Sequence, residues 1–202
     1  MRDRPPSAPL APGDLRVFAY GSLIWRPGFT PRSHAPAVLR GWSRRFWQAL
    51  DRPPWRARGP GRVVTLVQGD AAAHCRGVVY ELDPAQADDV LAMLDVRESG
   101  GYVAGARRSR APGGGAFGDA WVWIAHPGNP NWAGPAEDDA LAAQIRSAHG
   151  PSGANLEYVL ELADALATAG ISDEHIASLA AALRRDPAPG TDLDTTSAPQ
   201  VR

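Results

Sequence analysis

The chain has 202 residues, a size that suits one domain of ordinary length with or without tails. Hydrophobic residues make up 44% of it, which is enough for a folded core and excludes a wholly disordered protein. The formal net charge of −1 gives no overall attraction to nucleic acid or to an anionic membrane, so neither is expected as a partner.

Several kinds of enzyme are excluded by the residue types that the chain lacks. All 21 basic residues are arginine, so there is no lysine for a Walker A phosphate loop or a pyridoxal phosphate Schiff base. The single cysteine, Cys75, excludes an intrachain disulfide and a cluster of thiolate ligands, and we interpret it as a small core residue. The five histidines are scattered without zinc-protease spacing. We therefore expect neither a cofactor nor a bound metal.

The two ends differ in composition from the middle of the chain. Residues 1–13 and 187–202 are rich in Pro, Ala, Asp and Thr without apolar periodicity, which predicts disordered tails around a folded domain at 14–186. The first segment also lacks the apolar region of a signal peptide. No run approaches the roughly 18 apolar residues of a membrane span. These features favour a cytoplasmic protein without a membrane partner.

Short strands are predicted in the first two thirds of the folded domain. Apolar and β-branched runs bounded by Gly, Pro and Asp indicate them. In chain order they are Leu15–Ala19, Val38–Ala49, Val63–Val67, Gly77–Leu82, Tyr102–Arg110 and Asp119–Ala125. A flexible turn at Pro112–Gly115 joins the last two. Short runs with frequent turns favour an antiparallel or mixed barrel over a doubly wound sheet.

Four helices are predicted between and after these strands. Their predicted starts are Asp83 with Pro84, Pro135, Ser152 and Ser172, and Gly170 is predicted to stop the third. Helical spacing indicates which residues face the core: Val90, Leu91 and Leu94 in the first, Leu156, Val159, Leu160 and Ala163 in the third, and Ile176, Leu179, Ala180 and Leu183 in the fourth. The fold class is therefore α+β, a strand-rich body with helices around it.

Two segments carry candidate chemistry. The Gly21–Ser22 turn after the first strand can point backbone N–H groups together at a carboxylate or a developing oxyanion, although most such turns only reverse the chain. Glu98 lies at a helix-to-strand junction, between Arg97 and a pair of glycines. A carboxylate at the mouth of a barrel can be partly buried, which raises its pKa toward that of a useful base. The alternative is a solvated loop glutamate.

Two other patterns have simpler explanations. Gly150-Pro-Ser152-Gly-Ala154 is similar to a serine nucleophile elbow but lacks its last glycine, and Ser152 fits better as a helix cap. Arginine and aromatic residues alternate in Arg40–Arg62, as they can in proteins that stack single-stranded nucleic acid. A strand with one buried face shows the same alternation. The net charge favours the strand.

Five motifs in order resemble the ChaC family of glutathione-specific γ-glutamylcyclotransferases. They are VFAYGSLIW from Val17, SRRFWQ from Ser43, GPGRVVTLV from Gly59, LDVRESGGY from Leu94 and GPSGANLEY from Gly150. The resemblance covers roughly Leu15 to Arg184, which is nearly the whole folded domain. Two departures are small: Ala19 stands where the family usually has Gly, and Ser99 where it often has Lys.

The resemblance implies a fold, an activity and a set of site residues. The implied fold is γ-glutamylcyclotransferase-like, a small mixed β-barrel with surrounding helices, and the implied activity is cleavage of glutathione to 5-oxoproline and Cys-Gly without a cofactor. Glu98 would be the acid/base. The loop of Tyr20, Gly21, Ser22, Leu23 and Ile24 would hold the γ-glutamyl group. Tyr158 is a candidate for a pocket hydroxyl, with a half-buried helix tyrosine as the alternative.

Two other functions remain open at this stage. A cyclotransferase of the same kind could act on other γ-glutamyl amino acids or amines, because the pocket beyond the γ-glutamyl group cannot be deduced from the motifs. A non-catalytic protein with this fold could bind a small molecule and regulate a cation transporter. Glu98 argues against the second, since a binding protein needs no carboxylate there.

Overall fold

The computed structural model describes residues 15–50, 60–150 and 153–185. Both predicted tails and the predicted cap Ser152 lie outside these ranges. The strands are β1 (Arg16–Ala19), β2 (Ser33–Arg40), β3 (Trp42–Leu50), β4 (Gly61–Gln68), β5 (His74–Glu81), β6 (Tyr102–Arg110), β7 (Ala116–Ala125), β8 (His149–Gly150) and β9 (Gly153–Ala154). The helices are α1 (Ala87–Arg97), α2 (Asp138–Ser147), α3 (Asn155–Thr168) and α4 (Glu174–Arg184).

Five of the strands form a closed barrel in the order β1, β5, β2, β6, β7. Neighbours run antiparallel except at the closure, where β7 pairs in parallel with β1 and Val17 lies opposite Trp121. Closure removes the exposed edges that a small open sheet would present. The predicted mixed barrel with surrounding helices is confirmed.

The predicted single strand Val38–Ala49 is wrong. Gly41 interrupts it with a φ of 76°, a left-handed conformation that favours glycine. β2 before this turn belongs to the barrel, whereas β3 after it forms a separate two-stranded sheet with β4. The β3–β4 hairpin is joined to the barrel through Thr65, whose hydroxyl donates to the carbonyl of Ala125 at 3.0 Å and accepts from its N–H at 2.9 Å.

Three of the predicted helix starts are also wrong, by one to four residues. α1 begins at Ala87, because Asp83 and Pro84 form a preceding turn in which the Asp83 carboxylate accepts from Ala85 N–H. α2 begins at Asp138 and not at Pro135. Asp173 caps α4 by accepting from Ile176 N–H, the role predicted for Ser172.

The helices cover the barrel and the hairpin with a shared core. The predicted buried residues of α1 and α4 are confirmed. In α3 the buried set is Asn155, Val159, Leu162 and Leu166, so only Val159 of its predicted face is fully buried. The predicted stop at Gly170 is confirmed, with a φ of 66° just after the helix. Among the described residues, no helix combines the length and apolar character needed to cross a membrane.

Candidate active site

Glu98 lies where α1 ends and turns toward β6. Its N–H donates to Leu94 O at 2.8 Å, which completes the last helical turn and aims the side chain away from the helix axis. Only 19% of that side chain is exposed. Burial raises the pKa of Glu98, while Arg97, with Nε 3.5 Å from the carboxylate, lowers it by a smaller amount. The predicted partly buried carboxylate is therefore present.

The Tyr20–Ile24 segment leaves the barrel at the end of β1 and forms a short 3-10 helix over Ser22–Ile24. The Tyr20 hydroxyl donates to Trp123 O at 2.6 Å, which secures the start of the segment to β7. Within the described residues, the N–H groups of Gly21, Ser22 and Leu23 donate to no protein acceptor. Free N–H groups at the start of a helical turn suit an anionic partner.

A narrow cavity of about 40 Å³ brings nearly all of the predicted site residues together. Its lining includes Tyr20, Gly21, Ser22, Leu23, Glu98 and Tyr158. Ile24 is the exception, because it packs against the core and its carbonyl accepts from the Tyr80 hydroxyl at 3.3 Å.

A second cavity of about 580 Å³ adjoins the narrow one and opens beyond it. The two share Ser22, Glu98, Tyr102 and Tyr158, so Glu98 stands at their junction. The larger volume lies within the roughly 300–1,000 Å³ typical of small-molecule sites. A ligand can therefore place one end against Glu98 while the rest of it lies in the wider space.

Three tyrosines surround Glu98. Burial raises the pKa values of Tyr20, Tyr102 and Tyr158, and the nearby Glu98 carboxylate raises each of them further. All three phenols therefore stay protonated at neutral pH. The Tyr102 hydroxyl donates to Val64 O at 2.7 Å. Tyr102 was not predicted as a site residue, although it is the last residue of the motif that contains Glu98.

Arg97 joins the two halves of the site, a role that the sequence analysis did not predict. Its Nη2 donates to Ser22 Oγ at 2.9 Å, and its Nη1 donates to the carbonyl of Arg26 at 2.6 Å. The same side chain lies beside Glu98. Because Arg97 and Glu98 are adjacent in sequence, the end of α1 holds Glu98 and the Tyr20–Ile24 segment in one arrangement.

Two polar residues on the buried face of β3 support the site from behind. Arg44 donates from Nε to Tyr20 O at 2.6 Å. Gln48 donates to Gly100 O at 2.7 Å, in the turn that follows Glu98. The alternation along β3 predicted one buried face, but not that Arg44 and Gln48 would lie on it.

Asn155 fixes the helix that carries Tyr158. Its side-chain amide exchanges two hydrogen bonds with the backbone of Arg62, accepting from N–H at 2.7 Å and donating to the carbonyl at 2.8 Å. Tyr158 follows three residues later, on the same side of α3. Its ring packs edge-on against Trp25, with centroids 5.5 Å apart.

The potential metal ligands and the single thiol are possible sources of chemistry other than the cluster around Glu98. Among the described residues, no three His, Cys, Asp or Glu side chains are grouped so as to hold a metal ion. Cys75 is buried, as predicted for a core residue. Burial raises the pKa of its thiol to about 11, so it is not a thiolate at neutral pH.

The closed mixed barrel with its surrounding helices is the fold of solved γ-glutamylcyclotransferases. A crystal structure of a γ-glutamylcyclotransferase specific to glutathione from yeast matches with a TM-score of 0.76 and 27% identity, over 85% of this chain and 96% of that one. A second structure, named gamma-glutamyl cyclotransferase, has a TM-score of 0.54 at 18% identity and shows the shared fold alone.

The sequence comparisons define the family within that class. The family model described as ChaC-like protein matches residues 15–186. Human glutathione-specific gamma-glutamylcyclotransferase 1 is 39% identical in an alignment of 175 positions that covers 83% of this chain and 78% of the human protein. The glutathione-specific gamma-glutamylcyclotransferase of Saccharomyces cerevisiae is 30% identical over 203 residues, covering 78% and 88% respectively. The chain belongs to the ChaC-like family.

Proposed function

We propose that this protein is a glutathione-specific γ-glutamylcyclotransferase, which converts glutathione to 5-oxoproline and Cys-Gly. One observation carries the proposal: the largely buried Glu98 lines the same narrow cavity as Gly21 and Ser22, whose N–H groups donate to no acceptor within the described residues. The names of the human and yeast relatives support glutathione as the substrate.

The two cavities together suit glutathione. In the proposed complex the γ-carbonyl lies at their junction beside Glu98, with its oxygen directed into the narrow cavity, whose volume of about 40 Å³ admits only a small group. The rest of glutathione lies in the wider cavity. Such a pose bends the γ-glutamyl chain until its α-amine faces its own side-chain carbonyl. Holding reacting atoms of one molecule together in this way supplies much of the rate enhancement, and it requires no protein nucleophile.

Glu98 performs the proton transfers in this mechanism. The α-amine of the substrate is mostly protonated at neutral pH, and an ammonium cannot attack a carbonyl. Glu98 accepts one proton from it, and the freed amine then forms a bond to the γ-carbonyl carbon. The raised pKa of Glu98 makes it a stronger base than an ordinary glutamate while it stays able to release the proton later.

The second half of the reaction breaks the amide bond. Attack by the amine moves the carbonyl π electrons onto the γ-carbonyl oxygen, which becomes an oxyanion. Backbone N–H groups at Gly21 and Ser22 stabilise that charge. When the intermediate collapses, the bond to the cysteinyl nitrogen breaks, and Glu98 returns its proton to this leaving amine. The attacking nitrogen, which still carries two hydrogens, gives up one of them through Glu98, so that the lactam keeps a single N–H and Cys-Gly departs as an ammonium. The products are 5-oxoproline and Cys-Gly, and no water is consumed.

Incubation of the purified protein with reduced glutathione tests the proposal. We expect 5-oxoproline and Cys-Gly to appear in equal amounts, as measured by chromatography with mass detection. Parallel incubations with γ-glutamylalanine test the specificity, because this compound shares the γ-glutamyl group and lacks the glycine. Turnover of γ-glutamylalanine with none of glutathione would contradict the proposed specificity, and turnover of neither would contradict the activity.

A further inference from the structure

Arg44 is a fully buried arginine that the reaction itself does not use. It lies on β3, and none of its side chain is exposed. Nε donates to Tyr20 O at 2.6 Å, Nη2 donates to Arg76 O at 2.6 Å, and Nη1 pairs with the Asp173 carboxylate. The planar guanidinium holds these donors in a fixed fork, so its contacts with Asp173 and Arg76 determine where Nε points.

The acceptor of Nε belongs to the peptide group that precedes Gly21. A trans peptide is planar, and its carbonyl and N–H point in opposite directions. Because Arg44 holds the Tyr20 carbonyl on the buried side, the N–H of Gly21 points the other way. Gly21 lines the narrow cavity together with Glu98, and within the described part of the chain its N–H has no protein acceptor.

We infer that Arg44 is a positioning residue, which orients the Tyr20–Gly21 peptide so that the Gly21 N–H donates to the γ-carbonyl oxygen as negative charge develops there. The inference rests on the proposed cyclotransferase activity. Arg44 thus acts on the transition state through the backbone, without touching the substrate.

Two substitutions separate this role from a structural one. In Arg44→Lys the ammonium reaches the position of the guanidinium end, so it keeps the charge pair with Asp173 but loses the donor at Nε. In Arg44→Gln the amide nitrogen falls where Nε was, so it keeps the donor to Tyr20 O but loses the charge. The second change is combined with Asp173→Asn, which leaves no unpaired carboxylate and keeps an oxygen to cap α4.

We expect Arg44→Lys to be the more stable but slower variant, and Arg44→Gln/Asp173→Asn to be the less stable but faster one. Arg44→Lys should keep a melting temperature near that of the wild type and lose about 10²-fold in kcat with KM unchanged, as expected when reacting groups are misplaced. The Arg44→Gln/Asp173→Asn protein should melt at a lower temperature and keep most of the wild-type kcat. Both are assayed for 5-oxoproline well below either melting temperature.

A purely structural role predicts the reverse order, with kcat following the melting temperature. Wild-type kcat in Arg44→Lys, or loss of kcat in a folded Arg44→Gln/Asp173→Asn protein, would overturn the inference. If Arg44→Lys does not fold, the double variant decides alone, since it keeps the donor without the charge. The wild type is run in the same assay. Its failure to form 5-oxoproline would contradict the proposed activity, which is a different result from a change between variants.

Discussion

Replacement of Glu98 by glutamine tests the central step of the mechanism. Glutamine matches glutamate in size, and its amide oxygen can still accept from Arg97, which lies 3.5 Å from the native carboxylate. The cavity should therefore keep its shape and still bind glutathione. The amide cannot take the ammonium proton, so kcat should fall by about 10²–10⁴-fold. That loss corresponds to about 3–5 kcal/mol of transition-state stabilisation.

The same substitution should leave the fold intact or stabilise it at neutral pH. Burial raises the pKa of Glu98, so the charged carboxylate is less stable in the native state than in the unfolded state, which lowers the free energy of unfolding at neutral pH. Glutamine removes this cost, and the lost attraction to Arg97 offsets part of the gain. The stabilisation should be present at neutral pH and should disappear as the pH falls below the ordinary glutamate pKa of about 4.3, where the wild-type carboxyl is neutral in both states.

Glutathione binding by calorimetry, the rate of 5-oxoproline formation and the melting temperature are measured on the same preparations. The matched control is Glu174→Gln, which removes the same charge from an exposed side chain of α4 that lines neither cavity. We expect a small effect on turnover there. A folded Glu98→Gln protein with wild-type kcat would refute the assignment of Glu98 as the acid/base.

Three further predictions concern the same site. The acid limb of the pH profile of kcat/KM should lie above the ordinary glutamate pKa, because only the carboxylate of Glu98 accepts the proton. Arg97→Met should move this limb to higher pH, since it removes a charge that lowers the pKa of Glu98. An unshifted limb in a folded variant would count against Glu98. Gly21→Ala should lower kcat by about 10²-fold in a protein that still folds. The new Cβ would lie 3.0 Å from Val64 Cγ2 and 3.2 Å from the Tyr158 hydroxyl, so the turn would have to shift. Kinetics and thermal melting check this, and full activity would contradict it. Treatment with EDTA should leave turnover unchanged, since every proposed step uses a carboxylate and backbone donors, and a loss restored by a divalent cation would contradict that mechanism.

The barrel could be predicted from the sequence because its strands are short apolar runs between strong turn residues. The same kind of pattern failed at Gly41, where a single run of apolar and aromatic residues interleaved with arginine continues in sequence across a turn between two sheets. Alternation depends only on which side of the backbone a side chain lies. It carries no information on which strand pairs with which, so the division between β2 and β3 became visible only in the fold.

The face of α3 was mispredicted for a related reason. This helix is apolar on much of its surface, so several stripes fit the helical period about equally well. The buried position that decides its orientation is polar: Asn155 is buried because it satisfies the backbone of Arg62. A buried asparagine is explained by its partner, and that partner is far away in the sequence.

Glu98 and the Gly21–Ser22 turn could be proposed as site residues from local sequence together with the resemblance to the ChaC family, whereas the residues that support them could not. Glu98 stands at a helix end beside two glycines, and the turn directly follows a strand, so each is marked by its neighbours. Arg44 is one of 21 arginines and has no such local mark. Its role depends on the burial of β3 against the barrel and on contacts with Tyr20, more than twenty positions earlier.

The placement of Arg44 and Gln48 suggests how a small barrel can hold a site made mostly of backbone. Buried polar side chains are costly unless they are hydrogen-bonded, and buried carbonyls are costly for the same reason. Arg44 satisfies the carbonyl of Tyr20 and Gln48 that of Gly100, so each pairing removes two penalties and fixes one main-chain segment of the site. Both side chains come from one face of one strand, four residues apart. The β3–β4 hairpin thereby ties the Gly21 turn and the turn after Glu98 to one strand, in addition to the link that Arg97 makes between them. An intramolecular cyclisation needs this kind of fixed positioning more than it needs a nucleophile.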